Sequence, residues 1–542
     1  MIKINKRYKL LKSNSKVRLL MRGYNILKNK NDLYSIPLFR KKIGSTFLHS
    51  QVNHSCQTFF GSSNSNLELT LRQFLLTKLI GIDFNMKLIS SFAKPNRRIL
   101  YPIPKEWRVL LEKSGFGSDF FLNRIYWNLY VLFIFCYGVY LNLIRFFHSF
   151  INIIRNRKTD YSRGISFQKL AYNNLPVSNN SHTIINWYHN YFGKKENNLY
   201  YMHDVNTNSS FSVDNVQLKK VRDSGFLPQS FNKLIKYFLW FIWAFFFSFY
   251  KFLNGKYWYM ILFNEASLAF LARNTDSRIM PEKFLFHQIG HLLKPLWTYE
   301  VEKFNKRVYL YFYATNIENL KFNNEPLVQD HFWENTSWNN FLVWNDNQAN
   351  FIKKYCKKPS VITIVGPIYF NTNNNLKLDR SVESKNYVAI FDIQPFRTSF
   401  FQLFGAGQEY YTAKVANLFL NDIFEVTNKY KLLLVHKLKR DFGIYGSLEN
   451  ITFKKNLLSL KKQKRFISVN PEISAFKIID HSLVTISMPF TSTSVYAKFR
   501  NKPTFFYDPT SKLDNSYYKK NKILLISGKD ELENWFKFFL NN

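Results

Sequence analysis

Residues beyond about 160 predict an α/β fold of two Rossmann-like domains facing a cleft. Three observations point there. Short β-rich runs alternate with helical ones, as in a parallel sheet covered on both faces. The alternation breaks at the polar stretch "NTNNNLKLDRSVESK" (371–385) and then restarts. Several runs end in a turn carrying cations or hydroxyls, at the strand ends where such sheets hold ligands.

Ahead of the two domains, residues 1–75 read as a basic, poorly ordered arm. The first fifty residues hold thirteen Lys and Arg against one acid, and the polar "HSQVNHSCQTFFGSSNSN" follows. This N-terminus lacks the apolar core and small-residue cleavage site of a secretory signal. Residues 76–160 read as a helical region containing "IYWNLYVLFIFCYGVYLNLI" (125–144), twenty residues without a charge and long enough for a bilayer. A second aromatic run, "YFLWFIWAFFFSFY" (237–250), has fourteen residues, too few to cross at ~1.5 Å each. Tyr and Trp within both runs, with Arg124, Arg145, Lys236 and Lys251 beside them, suit the headgroup zone. A lone crossing by the first run would put the basic arm and the basic body on opposite sides, against the positive-inside tendency. The expectation is therefore helices lying in or dipping into the cytoplasmic leaflet, at the cytoplasmic face of the inner membrane. A buried core helix is the rival expectation.

The first Rossmann-like domain is placed at 161–370, with the aromatic helix 237–250 inside it, and the second at 386–542. In the first, "NLYYMHD" (198–204), "YWYMILFNE" (257–265), "RVYLYFYATN" (307–316) and "SVITIVGPI" (360–368) read as strands, and "PLWTYEVEKFN" as a helix. In the second, strand "YVAIFD" (387–392) precedes a helix near 410–430 and strand "KLLLVHK". "RFISV", "PEISAFKIID", "LVTIS", "TSTSVYAKF" and "TFFYD" follow as strand, helix, strand, helix and strand.

Bulk composition narrows the partners. The 542 residues carry 76 Lys and Arg against 36 Asp and Glu, a formal net charge of +40. That suits a polyanion, an anionic membrane or a phosphorylated ligand, although part of it follows from an Ile-, Asn- and Lys-rich coding composition. Cys56, Cys136 and Cys356 are far apart, odd in number and form no CxxC pair, which supports neither a zinc ribbon nor a disulfide framework and points to a reducing compartment.

The chemistry gathers at predicted strand ends. "SMPFTSTSVYAK" (487–498) puts Thr491, Ser492, Thr493 and Ser494 at the start of a helix, where free N–H groups and the positive dipole end receive an anion. One hydroxyl would suffice as a cap, and four in a row favour binding. "VHKLKRD" (435–441) sets His436, Lys437, Lys439 and Arg440 after another strand, suiting a phosphate clamp; a solvated basic turn is the plainer reading. "FDIQPFR" (391–397) ends a strand at Asp392 and offers Arg397 to a phosphate, or to Asp392 itself. Asp204 and Glu265 close predicted strands of the first domain and are candidates for the base that takes an acceptor proton, or for helix caps. "HQIGH" (287–291) has two His at a helical metal spacing, but no third ligand, so no metal is assigned. No Asp stands two residues from another, and no GxxxxGK[ST], GxGxxG or GxSxG occurs, which sets aside ATPase, dehydrogenase and ordinary hydrolase readings.

Together these blocks resemble the bacterial polysaccharide biosynthesis proteins named for a PFTS motif, here Pro489, Phe490, Thr491 and Ser492. "KPLWTYEVEKFNKRVYLYFYATN" (294–316), "VWNDNQ" (343–348), "VGPI" (365–368) and "FDIQPFR" look like further blocks of that family, and the similarity runs from about 98 to the C-terminus. Where the family tends to have Lys-Pro-Lys-Arg, this chain has His436-Lys437-Leu438-Lys439-Arg440. Where Ser-Thr-Asn is usual it has Ala314-Thr315-Asn316. The resemblance implies a glycosyltransferase of the two-Rossmann B type acting on capsule, O-antigen or similar surface carbohydrate. The basic turn and the hydroxyl cluster also resemble, by arrangement, transferases that use CMP-linked acidic sugars.

The expected function is thus metal-independent transfer from a nucleotide-sugar, a substrate and not a cofactor, to a lipid-linked or glycan acceptor at the cytoplasmic membrane surface. Arg397, His436, Lys437, Lys439, Arg440 and Thr491–Ser494 would hold the donor, and Asp204 or Glu265 would act as base. The rival classes are a non-enzymatic assembly factor of polysaccharide production and a basic nucleic-acid-binding protein. The second is disfavoured, since aromatics concentrate in apolar runs instead of interleaving with a basic face.

Overall fold

A computed structural model describes residues 14–30, 32, 35–46, 57–61, 66–94, 98–155, 164–168, 184–193, 199–202, 211–213, 216–220, 226–287, 293–315, 320–324, 327, 331–356, 360–368, 378, 382, 386–395, 410–443, 449–518 and 523–541. Helices come first: α1 (Asn14–Asn29), α2 (Ser35–Ser45), α3 (Leu67–Leu79), α4 (Ile82–Ser91) and the long α5 (Phe120–Ile154). Leu20, Tyr24, Leu27, Ile36 and Phe39 are buried and share one core with the first sheet. The poorly ordered arm expected over 1–75 is corrected for its described residues: in α1 and α2 apolar residues recur at helical spacing and bury that face, with Arg18, Arg22 and Lys28 left exposed.

The first sheet has eight strands in the order β3-β4-β2-β1-β5-β6-β7-β8. They are β1 (Ile165–Gln168), β2 (Leu199–Met202), β3 (Phe211–Val213), β4 (Val216–Lys220), β5 (Lys283–His287), β6 (Arg307–Tyr311), β7 (Asn340–Val343) and β8 (Val361–Ile364). Only edge strand β3 is antiparallel. Setting β3 aside, the order is doubly wound, with its switch point between β1 and β5. Between β4 and β5 lie α6 (Phe231–Leu253) and α7 (Phe263–Arg273); α8 (Leu296–Glu302) joins β5 to β6, and α9 (Asp346–Tyr355) joins β7 to β8.

Two expectations change in this region. "YWYMILFNE" forms a helical turn, Trp258–Ile261, and the start of α7, not a strand. Residues 257–263 are all buried, so no helical period survives in that stretch, and an aromatic run then reads as β. The fourteen-residue aromatic run is the middle of a longer helix: α6 has 23 residues and is N-capped by Ser230.

α5 and α6 pack as an outer pair on α7. Asn142 Oδ1 accepts a hydrogen bond from Tyr237 Oη at 2.6 Å and another from Ser267, tying the three helices together in their buried seam. Ser149 Oγ donates to the Arg145 carbonyl at 2.7 Å, satisfying a hydroxyl that faces inward.

The second sheet comprises β9 (Tyr387–Phe391), β10 (Leu433–Lys437), β11 (Phe466–Val469), β12 (Val484–Ser487), β13 (Thr504–Asp508) and β14 (Leu524–Ser527). All its pairings are parallel, in the order β11-β10-β9-β12-β13-β14. This is the 3-2-1-4-5-6 order of a Rossmann sheet, with the switch point between β9 and β12. α10 (Ala413–Lys429), α11 (Ile451–Leu460) and α14 (Lys529–Asn541) cover one face, and α12 (Ala475–His481) and α13 (Ser492–Phe499) the other. Each fully buried Phe or Leu of the first layer, such as Phe419 or Leu457, contributes about 1.5–3 kcal/mol.

Candidate functional site

The switch point of the second sheet is built from the "FDIQP" and PFTS blocks. Backbone pairing of Ile390 with Ile486 carries β9 and β12 side by side to their carboxyl ends. There the Met488 N–H donates to the Phe391 carbonyl at 3.0 Å. The chain then turns tightly: the Thr491 N–H donates to the Met488 carbonyl at 3.3 Å, with Pro489 and Phe490 at the two central positions. Phe490 has φ of 63°, a left-handed conformation usually left to Gly at this turn position and costing a side chain about 1–2 kcal/mol. Three contacts enforce it. The Phe490 ring lies 5.4 Å from that of Phe506, Tyr411 Oη donates to the Pro489 carbonyl at 3.1 Å, and Thr315 Oγ1 donates to the Phe490 carbonyl at 3.2 Å. Strain held this firmly is characteristic of a working turn.

The four hydroxyls divide by direction. Thr491 occupies the N-cap position of α13, yet its side chain caps no N–H of the first turn; its Oγ1 donates to the Met488 carbonyl at 3.0 Å. Ser492 Oγ meets the first domain, 3.1 Å from Thr315 Oγ1 and 3.4 Å from the Thr315 N–H, which donates to it. Thr493 Oγ1 lies 2.7 Å from Ser487 Oγ and 3.2 Å from Thr491 Oγ1. Ser494 is fully buried and donates to the Phe505 carbonyl at 3.3 Å, so it faces the sheet and not the cleft, which corrects its assignment to the donor.

The first domain presents its own strand ends to this turn. Ala314 and Thr315 follow β6, and the "VWNDNQ" block after β7 holds them. Trp344 Nε1 donates to the Phe312 carbonyl at 2.6 Å, and Gln348 Nε2 donates to the Ala314 carbonyl at 3.0 Å. Asn345 caps α9 by accepting from the Gln348 N–H. After β8, Gly366 has φ of 72°, and a Cβ there would lie 3.5 Å from the Phe499 ring of α13. Segment 320–324 reaches further: Phe322 bridges to Leu513, and the Asn323 N–H donates to the Lys512 carbonyl at 2.8 Å.

The basic turn is less uniform than its sequence. In β10, Lys437 and His436 point to opposite faces of the sheet. Lys437 Nζ donates to the Pro471 carbonyl at 2.7 Å and holds the loop after β11; burial lowers its pKa from the ordinary lysine value, with Glu472 and Asp441 acting against this. Lys439 and Arg440 are exposed. His436 is completely buried, with Nε2 3.3 Å from Asp392 Oδ2, whose side chain is equally enclosed. The contact is at ion-pair distance but misaligned, so neither side chain completes a hydrogen bond among the described residues. His436 therefore stands behind the basic turn and cannot touch a donor there, which corrects that expectation.

Asp204 and Arg397 lie outside the described residues. Glu265 is in the first turn of α7, not at a strand end, and its Oε2 accepts from the Leu296 N–H at 3.3 Å, at the start of α8. His287 ends β5, so "HQIGH" does not begin as a helix, and His291 lies outside the described residues. Among the described residues no group of three metal-ligating side chains occurs. Thr315, Trp344 and Gln348 were reachable in the sequence only as members of blocks, because their bonds cross between segments far apart in the chain.

Two parallel sheets meeting carboxyl end to carboxyl end, with a strained hydroxyl turn between them, define a two-Rossmann cleft protein. Residues 237–536 match the family described as polysaccharide biosynthesis PFTS motif protein, and the chain belongs to that family. The matched region starts well after residue 98, where the resemblance in the sequence begins. No curated protein matches. Solved structures of similar outline include UDP-GlcNAc 2-epimerase from Methanocaldococcus jannaschii, 8% identical over 70% of this chain and 93% of that one, with a TM-score of 0.36. α,α-Trehalose 6-phosphate synthase from Burkholderia multivorans is 10% identical over 70% and 89%, TM-score 0.37. The wall teichoic acid polymerase TagF is 11% identical over 74% and 90%, TM-score 0.35. Scores this low add nothing to the topology described above.

Proposed function

We propose that this protein is a glycosyltransferase of bacterial surface polysaccharide biosynthesis, moving a sugar from a nucleotide-sugar to a lipid-linked or glycan acceptor without a metal. The observation that carries the reading is the PFTS turn. Its helix N-terminus lacks a side-chain cap, its backbone is strained, and Ser492 opens on the seam with Thr315. Such a terminus offers oriented N–H and O–H donors to the charge that grows on a departing phosphate. Arg397, Lys439 and Arg440 would add cationic charge, and Lys437 would brace the neighbouring loop. The first domain would take the acceptor, with Asp204 receiving its proton. CMP-linked acidic sugars are among the donors such an arrangement admits. The exposed aromatic helices suit work at the cytoplasmic membrane surface, where a lipid-linked acceptor resides.

Thermal-shift screening of the full chain against UDP-, GDP-, CMP- and dTDP-sugars tests this. A donor at a hundred times its Kd adds about 2.7 kcal/mol to the native state. One nucleotide class should raise the melting temperature, and transfer should survive chelator. The reading is wrong if no class binds and a chain with Lys437→Ala, Arg440→Ala and Ser492→Ala still supports polymer production.

A further inference from the structure

The outer surface of α5 and α6 is inverted relative to a helix bathed in water. Along α5 every exposed position from Ile125 to Ile154 is aliphatic, aromatic or cysteine, Phe133 the most exposed at 67%. Asn123, Asn142, Arg145 and Ser149 of the same helix are buried, and Asn128, His148 and Asn152 are half-buried. On α6 every exposed position from Phe238 to Leu253 is again apolar or aromatic. Cations gather at the ends of this surface: Arg124 in the first turns of α5 and Arg155 just past its end, Lys236 and Lys251 within α6. A continuous apolar face of this size needs a partner. The basic rim and a net charge of +40 suit anionic headgroups better than a second copy of the same basic chain.

We infer that α5 and α6 lie flat in one leaflet of an anionic bilayer, outer faces among the acyl chains, and do not cross it. This deepens the membrane placement of the proposed function and is independent of the donor site. Packing behind the helices decides the orientation, together with the length of α5. The stripe from Ile125 to Ile154 extends about 44 Å at ~1.5 Å per residue, against a hydrocarbon core of about 30 Å; exposed apolar residues of α6 run from Phe231 to Leu253, about 33 Å. Upright, α5 would overrun the core by about 14 Å. The inner face of α5 is also buried from Asn123 to Ser149, so no part of the helix is free on all sides. Standing it upright would carry the α7/α8 layer into hydrocarbon, with its ion pairs Arg273–Glu300 at 3.4 Å and Lys294–Glu302 at 2.8 Å.

Depth measurement tests the orientation. The full chain, with Cys56, Cys136 and Cys356 changed to Ser, receives a single spin label through Leu129→Cys, Leu143→Cys or Phe150→Cys. It is mixed with phosphatidylcholine vesicles containing or lacking phosphatidylglycerol. Anionic vesicles should bind at least about tenfold more protein, and the three labels should report one depth within about 5 Å. A gradient approaching the about 32 Å that separates Leu129 from Phe150 along an upright helix overturns the inference. So does a chain that ignores vesicles and elutes as a dimer. The double change Phe133→Asp and Phe147→Asp, both on the outer face, should cut vesicle binding at least about tenfold with an unchanged circular dichroism spectrum; undiminished binding overturns the inference too. A chain that binds vesicles but no nucleotide-sugar retires the transferase reading and leaves this one standing.

Discussion

Changing Ser492 to alanine distinguishes a hydroxyl that serves the cleft from one that serves the fold. In the native chain Ser492 Oγ makes two contacts, at 3.1 and 3.4 Å, both to Thr315 across the seam. Bonds of that length, between partly exposed groups, contribute at most about 1 kcal/mol to stability. In a chain this large that moves the melting temperature by no more than about 2 °C. If Ser492 donates to charge developing on a leaving phosphate, its loss costs about 2.7–4 kcal/mol of transition-state stabilisation, a drop in kcat of about 10²–10³. Ser494→Ala is the internal contrast. Its hydroxyl is sealed against β13, so its removal should cost about 1–2 kcal/mol of stability and leave kcat within a factor of about two. Initial rates with the donor found by thermal shift, together with melting curves for both variants, read the two quantities separately. A Ser492→Ala chain with more than half of native kcat would refute the reasoning, as would a Ser494→Ala chain equally inactive at native stability.

Three further outcomes are expected. Thr491→Asp supplies the missing cap on α13 and should raise stability by about 1 kcal/mol in urea unfolding while weakening nucleotide-sugar binding at least about tenfold, because it places a carboxylate where the phosphate would sit. Asp392→Leu and His436→Leu should each cost about 3 kcal/mol by leaving a buried polar partner alone, and the double change should cost clearly less than their sum; strict additivity would show that the 3.3 Å contact carries no coupling. Burial pushes the Cys356 thiol up to about 12, so at pH 8 it holds about a thousandfold less thiolate than an ordinary cysteine and should resist iodoacetamide until the chain unfolds. The unfolded chain loses that proton first. Cys356 therefore withdraws stability as pH climbs from about 9 toward 12, and Cys356→Ser should flatten that part of the pH–stability curve.

The second sheet was the most legible part of the chain because each of its first five strands is a short β-rich run followed at once by a turn with its own signature. The hydroxyl cluster was legible as a site and illegible in its details. A helix rotates each successive residue by about 100°, so four consecutive hydroxyls cannot all face one ligand, and Ser494 turns inward to the sheet. The same reasoning separates His436 from Lys437, neighbours on a strand whose side chains alternate. "YWYMILFNE" misled because total enclosure removes the polar positions that mark a helix's outer side. The N-terminal helices misled in the opposite way, their abundant lysines masking an apolar face that a helical count would have exposed.

Segment 320–324 ties the two halves at a place other than the linker that connects them in sequence. Phe322 bridges to Leu513, the Asn323 N–H donates to the Lys512 carbonyl at 2.8 Å, and the Asp514 N–H donates to the Lys321 carbonyl at 3.0 Å. Main-chain bonds of this kind resist sliding but tolerate rotation about their own line. The halves are consequently pinned like a door at its hinge. Any widening of the gap between the halves therefore turns about this tie and stretches the longer side-chain contacts of Thr315 with Ser492 and Phe490.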